Sequence, residues 1–143
     1  MDYTWLIFAL LSAVTAALVA IFGKMGLEGV DANTATMIRA GIMFAFLVLV
    51  VAITGKMENF TTIFSNSRTM TYIFLSGIAG ALSLLFYFLA LQIGKASQVA
   101  PIDRLSLVFV AILAYLVLGE EINFKIAVGT ALMVVGAILV ALG

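Results

Sequence analysis

From Tyr3 to Gly23 the chain carries no charged residue, and the same holds for residues 40–55, 69–94, 105–119 and 126–143. A helix rises about 1.5 Å per residue, so about 20 apolar residues cross the roughly 30 Å hydrocarbon core of a bilayer. Inside lipid, every backbone N–H and C=O must be bonded within its own segment, which makes each run a helix and not an open strand. Only 10% of the residues are charged, against about 25% in soluble domains. The expected fold is therefore an all-α polytopic membrane protein with five transmembrane helices, at residues 3–22, 32–54, 71–93, 96–118 and 122–142. Gly23, Gly55, Gly94 and Gly119 mark the breaks.

The same composition removes several function classes. Seven basic residues balance seven acidic ones and form no cluster, so nothing points to nucleic acid. Cys and His are absent, which takes away thiol nucleophiles, disulfides and the usual zinc, copper or haem ligand sets. No carboxylate pair or nucleophile–base arrangement is visible, and neither an enzyme nor a cofactor is expected. Asp2 stands where a signal peptide wants Lys or Arg, so residues 3–22 read as a first span, with Tyr3 and Trp5 as interfacial anchors. The linker 55–70 combines Lys56, Glu58 and Arg68 with Phe60, Ile63 and Phe64, a pattern that predicts a short helix lying along the interface. Asn59-Phe60-Thr61 matches a glycosylation sequon, a pattern common by chance.

Two spans leave charges below the surface. The uncharged stretch 105–118 would be only about 21 Å long as a helix. Extending it back to Ala96 restores a spanning length and submerges Asp103 and Arg104. In the second span, the apolar part beyond Arg39 reaches only about 22 Å, which submerges Arg39 too. Counted from the ends that share one membrane side, Arg39, Tyr87, Asp103 and Arg104 all lie roughly 10 Å in. A charge at such depth costs about 2.5–3.5 kcal/mol even on the lenient insertion scale, and normally faces a partner or a pathway. Asp103 and Arg104 are about 100° apart on a helix and need separate partners. Arg39 is the expected counter-ion of Asp103. Arg104 then remains to draw an anionic or zwitterionic solute, with Tyr87, Tyr115 and the small polar stripe Ser76, Gly80 and Ser83 as the other lining residues. Pro101, the only proline, breaks the helix and removes the donor for the Ser97 carbonyl. A second reading is equally open to these residues: Pro101 as a first helical residue, Asp103 complementing the helix dipole, and both arginines snorkelling to headgroups.

Small-residue stripes recur. Ser12, Ala16, Ala20 and Gly23 share a face of the first helix, and Gly129 and Gly136, with Ala137 nearby, share one of the last, where close backbone approach is possible. Ordinary packing within the chain explains both; the Gly129/Gly136 face is also the candidate dimer contact. Glu120 and Glu121, beside Asn123, read as a solvated turn.

The run Gly94-Lys-Ala-Ser-Gln-Val-Ala-Pro-Ile-Asp-Arg-Leu-Ser106, Leu-Gly-Glu at 118–120 and Val-Val-Gly-Ala-Ile-Leu-Val at 134–140 resemble the second part of an EamA domain of the drug/metabolite transporter superfamily. Gly-Lys-Met-Gly-Leu-Glu-Gly at 23–29 and Ala-x-x-x-Arg at 35–39 resemble its beginning. The resemblance implies one EamA-like domain over 1–143, half of an inverted-repeat transporter whose relatives mostly carry two such domains. It further implies a small-molecule substrate, export of a metabolite or drug, and a prokaryotic cytoplasmic membrane. Related small multidrug transporters couple to protons through a glutamate in the first helix; here that helix offers only Ser12 and Thr15, and Asp103 is the interior carboxylate left. A non-transporting subunit packed against a larger membrane partner is the alternative. Five spans put the termini on opposite sides. Lys56, Arg68 and Lys125 then face Lys24 and Lys95, with Arg39 and Arg104 submerged near the latter. So even a balance sets no orientation and predicts dual topology, hence an antiparallel homodimer, or a heterodimer with a second half-size chain.

Overall fold

The computed structural model describes residues 3–143; Asp2, on which the signal-peptide argument partly rests, lies outside them. The fold is all-α. α1 (Thr4–Gly26), α2 (Ala32–Ile53), α4 (Ser67–Ile93) and α7 (Phe124–Leu142) are unbroken helices, while the remaining span is assembled from α5 (Ala96–Asp103), α6 (Ser106–Leu113) and a π-helical turn (Ala114–Leu118). Five segments, the last three pieces counted as one, are long and apolar enough to cross a membrane. α3 (Glu58–Ser65) is the short helix expected in the linker.

Local chemistry sets the boundaries. Asp31 caps α2, its Oδ2 accepting from the Thr34 N–H at 2.8 Å and the Thr34 hydroxyl at 2.9 Å. Asn66 and Asn123 cap α4 and α7 through Oδ1, accepting from the N–H of Thr69 and of Ile126. Each cap satisfies a donor that the first helical turn leaves unbonded. The Asn66 cap moves the start of α4 four residues ahead of the expected Thr71, to Ser67. α2 ends as a Schellman motif: Gly55 turns left-handed at φ 67°, the Lys56 N–H reaches the Val51 carbonyl, and the Gly55 N–H reaches that of Ala52,. Gly23 does not end α1, which runs on to Gly26, because a glycine inside a helix costs only about 1 kcal/mol.

The fourth span departs most from its expected regularity. At Arg104 and Leu105 the ladder tightens into three-residue steps, the Arg104 N–H bonding the Pro101 carbonyl and the Leu105 N–H that of Ile102. Pro101 sits inside α5 and is not its first residue, so the helix does extend back to Ala96. After the π turn, Gly119 adopts φ 68° and the Glu120 N–H reaches back to the Ala114 carbonyl. Non-helical backbone at membrane depth is tolerated where it is covered by protein or lines a cavity.

The chain forms two compact units. A terminal unit joins the chain up to Met25 with Ile93–Gly143; a middle unit is Gly26–Gln92. In the terminal unit α5 and α6 pack on α7, Ala20 and Ala137 are buried, and Lys24 Nζ donates to the Gly94 carbonyl at 2.7 Å. In the middle unit Leu27, Ala32, Thr36, Phe88 and Leu91 are buried, and Gln92 Nε2 donates to the Val30 carbonyl at 2.8 Å. Few other side chains are covered. Phe44 is 71% exposed and Leu116 68%, the surface of a chain whose solvent is lipid.

Candidate functional site

Some hydroxyls on the spans are turned inward on their own backbone. Thr15 Oγ1 donates to the carbonyls of Leu11 and Ser12, and Thr36 Oγ1 to that of Ala32 at 2.7 Å. This hides polar atoms from lipid at no cost to the helix ladder. It also leaves the first helix with a threonine already engaged.

Arg39 is the eighth residue of α2 and Asp103 the eighth of α5, so each lies about 10 Å into its helix. Their surroundings differ. Arg39, in the middle unit, is half-buried, and its Cζ sits 4.7 Å from the centre of the Phe88 ring, well within cation–π range. Tyr87 adjoins that ring, the two centroids 6.1 Å apart and tilted by 60°. Asp103 and Arg104 belong to the terminal unit and are exposed.

The expected lining residues divide between the units. Ser76, Gly80 and Ser83 lie on α4 of the middle unit, exposed, with Tyr87 half-buried at their far end. A side chain at Gly80 would meet nothing within 4 Å. Arg104 and Tyr115 lie in the terminal unit, at the tightened turn and in the π turn, and Tyr115 is 59% exposed. Gly129 and Gly136 also face open space, whereas their neighbour Ala137 is buried within the terminal unit. On α1 the stripe is partly covered: Ala20 is buried, Ala16 and Gly23 are half-buried, and Ser12 is exposed. Among the described residues no group of three acidic, His or Cys side chains is placed to hold a metal. A groove of about 400 Å³ does form between α3 and the start of α4, lined by Phe64, Ser65, Ser67, Met70, Thr71 and Phe74.

Phe88 escaped the sequence reading. Counting inward from Ile93 puts it at nearly the depth of Arg39, but a phenylalanine in an apolar helix has no local mark that separates it from its neighbours.

Comparison with known proteins gives the five spans a family. Residues 3–142 match the EamA-like transporter family. The chain belongs to that family. A protein of Sinorhizobium sp. named "Uncharacterized transporter in cobO 3'region" is 41% identical over 141 residues, covering 99% of each chain. No solved structure matches. As a half-size EamA-like chain it is an integral membrane protein of a transporter family.

Proposed function

We propose that this EamA-like chain moves a small metabolite or drug outward across a prokaryotic cytoplasmic membrane by alternating access, working as an inverted pair of copies. The observation that carries this is the exposure of Ser76, Gly80, Ser83, Arg104 and Tyr115 on segments long and apolar enough to cross a membrane. Polar side chains there are expensive against lipid and normally face a partner or a pathway. A second copy in the opposite orientation supplies the missing wall, as inverted repeats do in transporters that encode both halves in one chain. The 99% mutual coverage of the Sinorhizobium protein supports a family branch of the same half size.

In this reading Arg104, Tyr87, Tyr115, Ser76, Gly80 and Ser83 line the solute pathway, Arg39 and Asp103 form an ion pair, and Gly129 and Gly136 meet the second copy. The whole chain then acts as one EamA-like domain. Pro101 and the tightened turn at Arg104 form a break in the spanning helix, the type of element transporters use beside a solute. The test is flux of a panel of labelled metabolites into liposomes containing only this chain. Transport that saturates, and that falls in Arg104→Gln, supports the reading. An intact, folded protein that moves none of the panel would favour the non-transporting subunit instead.

A further inference from the structure

Arg39 Nη1 is sealed from solvent and makes no hydrogen bond. Native chains rarely leave a buried polar group so, because an unmet donor on an ionised group carries its full desolvation penalty. The Phe88 ring at 4.7 Å does not meet this need. Its face attracts the positive charge but offers no conventional lone pair to an N–H.

The middle unit has no acid to offer either. Its carboxylates are Glu28, Asp31 and Glu58, all exposed and outside both α2 and α4 apart from the Asp31 cap. Asp31 Oδ2 already accepts two hydrogen bonds from Thr34. Thr36, one turn before Arg39 and buried, has turned its hydroxyl proton to the Ala32 carbonyl. The guanidinium is thus positioned by a ring, matched by no carboxylate within α2 or α4, and left with a hydrogen-bond donor unmet.

We infer that Arg39 is an anion subsite, and that its ligand is the carboxylate of a small organic solute whose apolar body rests against the Phe88 and Tyr87 end of α4. The inference rests on the transporter reading above and moves the anionic contact from Arg104 to Arg39. A planar carboxylate matches the guanidinium fork in two parallel hydrogen bonds. An apolar body fits because the side chain shown against Arg39 is the buried Phe88. Arg39 as a whole is half-buried, so an arriving acceptor displaces only part of its cover. Asp103, its proposed counter-ion, carries the same functional group as the solute, and the two compete for one fork.

The test uses the full chain in nanodiscs of zwitterionic lipid, with its thermal midpoint titrated by sodium benzoate, by benzamide and by sodium chloride at equal ionic strength. Benzoate raises the midpoint, while benzamide, the same ring without the charge, does not. Arg39→Lys keeps the cation over Phe88 and loses the fork; it folds, and its benzoate response weakens about tenfold or more. Should that variant fail to accumulate, Arg39→Gln gives the same reading. Equal responses to benzoate and benzamide, or a benzoate response unchanged in both variants, overturn the inference. A purely structural arginine shows as a lower midpoint with the benzoate response kept. If anionic phosphatidylglycerol discs raise the midpoint through Arg39 and abolish the benzoate response, a lipid headgroup is the occupant and the solute assignment falls. Benzoate binding without flux of any solute leaves the subsite standing and removes the transporter reading. Flux without an Arg39-dependent benzoate response does the reverse.

Discussion

Two stretches carry charge equally far into their own helices, and they solve the problem in opposite ways. Around Arg39 the backbone is a regular helix and the side chain is held, half-buried over the Phe88 ring. Around Asp103 and Arg104 the backbone is interrupted and both side chains are exposed. The first stretch is nearly complete on its own and lacks only an acceptor. The second is built as though its neighbours were still to come, and of the proposed pathway Arg104 falls there.

The largest expected effect tests whether the open face of α4 belongs to that unfinished side. A Cβ added at Gly80 meets nothing within 4 Å in the chain, so Gly80→Leu should leave insertion and folding intact while abolishing flux in liposomes. Unchanged flux would place the pathway elsewhere. Next, if Asp103 is the counter-ion proposed above, Arg39→Ala should lower unfolding stability more than Arg39→Ala combined with Asp103→Ala does. Absence of rescue in that double-mutant cycle would separate the two stretches altogether. Phe88→Leu should cost about 0.5–2 kcal/mol for the lost cation–π contact beyond any packing term; the Arg39→Ala background should erase that excess. Gly119→Ala, at φ 68°, should cost about 1 kcal/mol through left-handed strain alone, read as a small drop in the midpoint.

The smallest effect is a pH dependence at the regular end. The Thr34 N–H, and then its hydroxyl, hold the Asp31 carboxyl below its usual range. Because the folded value is the lower one, the cap's contribution is fully present above the ordinary Asp value of about 4 and is lost as pH falls through the lowered value. Asp31→Asn, which still caps but does not titrate there, should flatten the acid limb of a midpoint-versus-pH curve.

Orientation separates the two dimer schemes. C-terminal reporter fusions in cells lacking any related chain should give comparable signals from both sides of the membrane if the chain inserts both ways. A one-sided signal would end the antiparallel homodimer.

The five spans are legible in the sequence because lipid forces each apolar run to bond its own backbone, and because spanning length alone pushes Arg39 and Asp103 inward. The extra turn of α4 is readable in hindsight from Asn66, a capping residue four positions ahead of Thr71. The interruption at Arg104 and Leu105 is not, since neither residue is a helix breaker and Pro101 lies a turn earlier. The Phe88 contact is equally silent, because rings in apolar helices are chosen as partners by tertiary packing and not by any local pattern. Of the candidate site, depth can be read from one dimension; who meets whom at that depth cannot.

Helix length has a consequence for the membrane itself. α4 has 27 residues and α7 has 19, about 40 Å against 28 Å. A bilayer that just fits α7 obliges α4 to lean, by about 45°, or to lift its Ser67 end into the headgroups beside α3. Membrane thickness therefore acts on this protein unequally: thickening the bilayer outreaches α7 but lets α4 stand more upright, and with it the face that carries Ser76, Gly80 and Ser83.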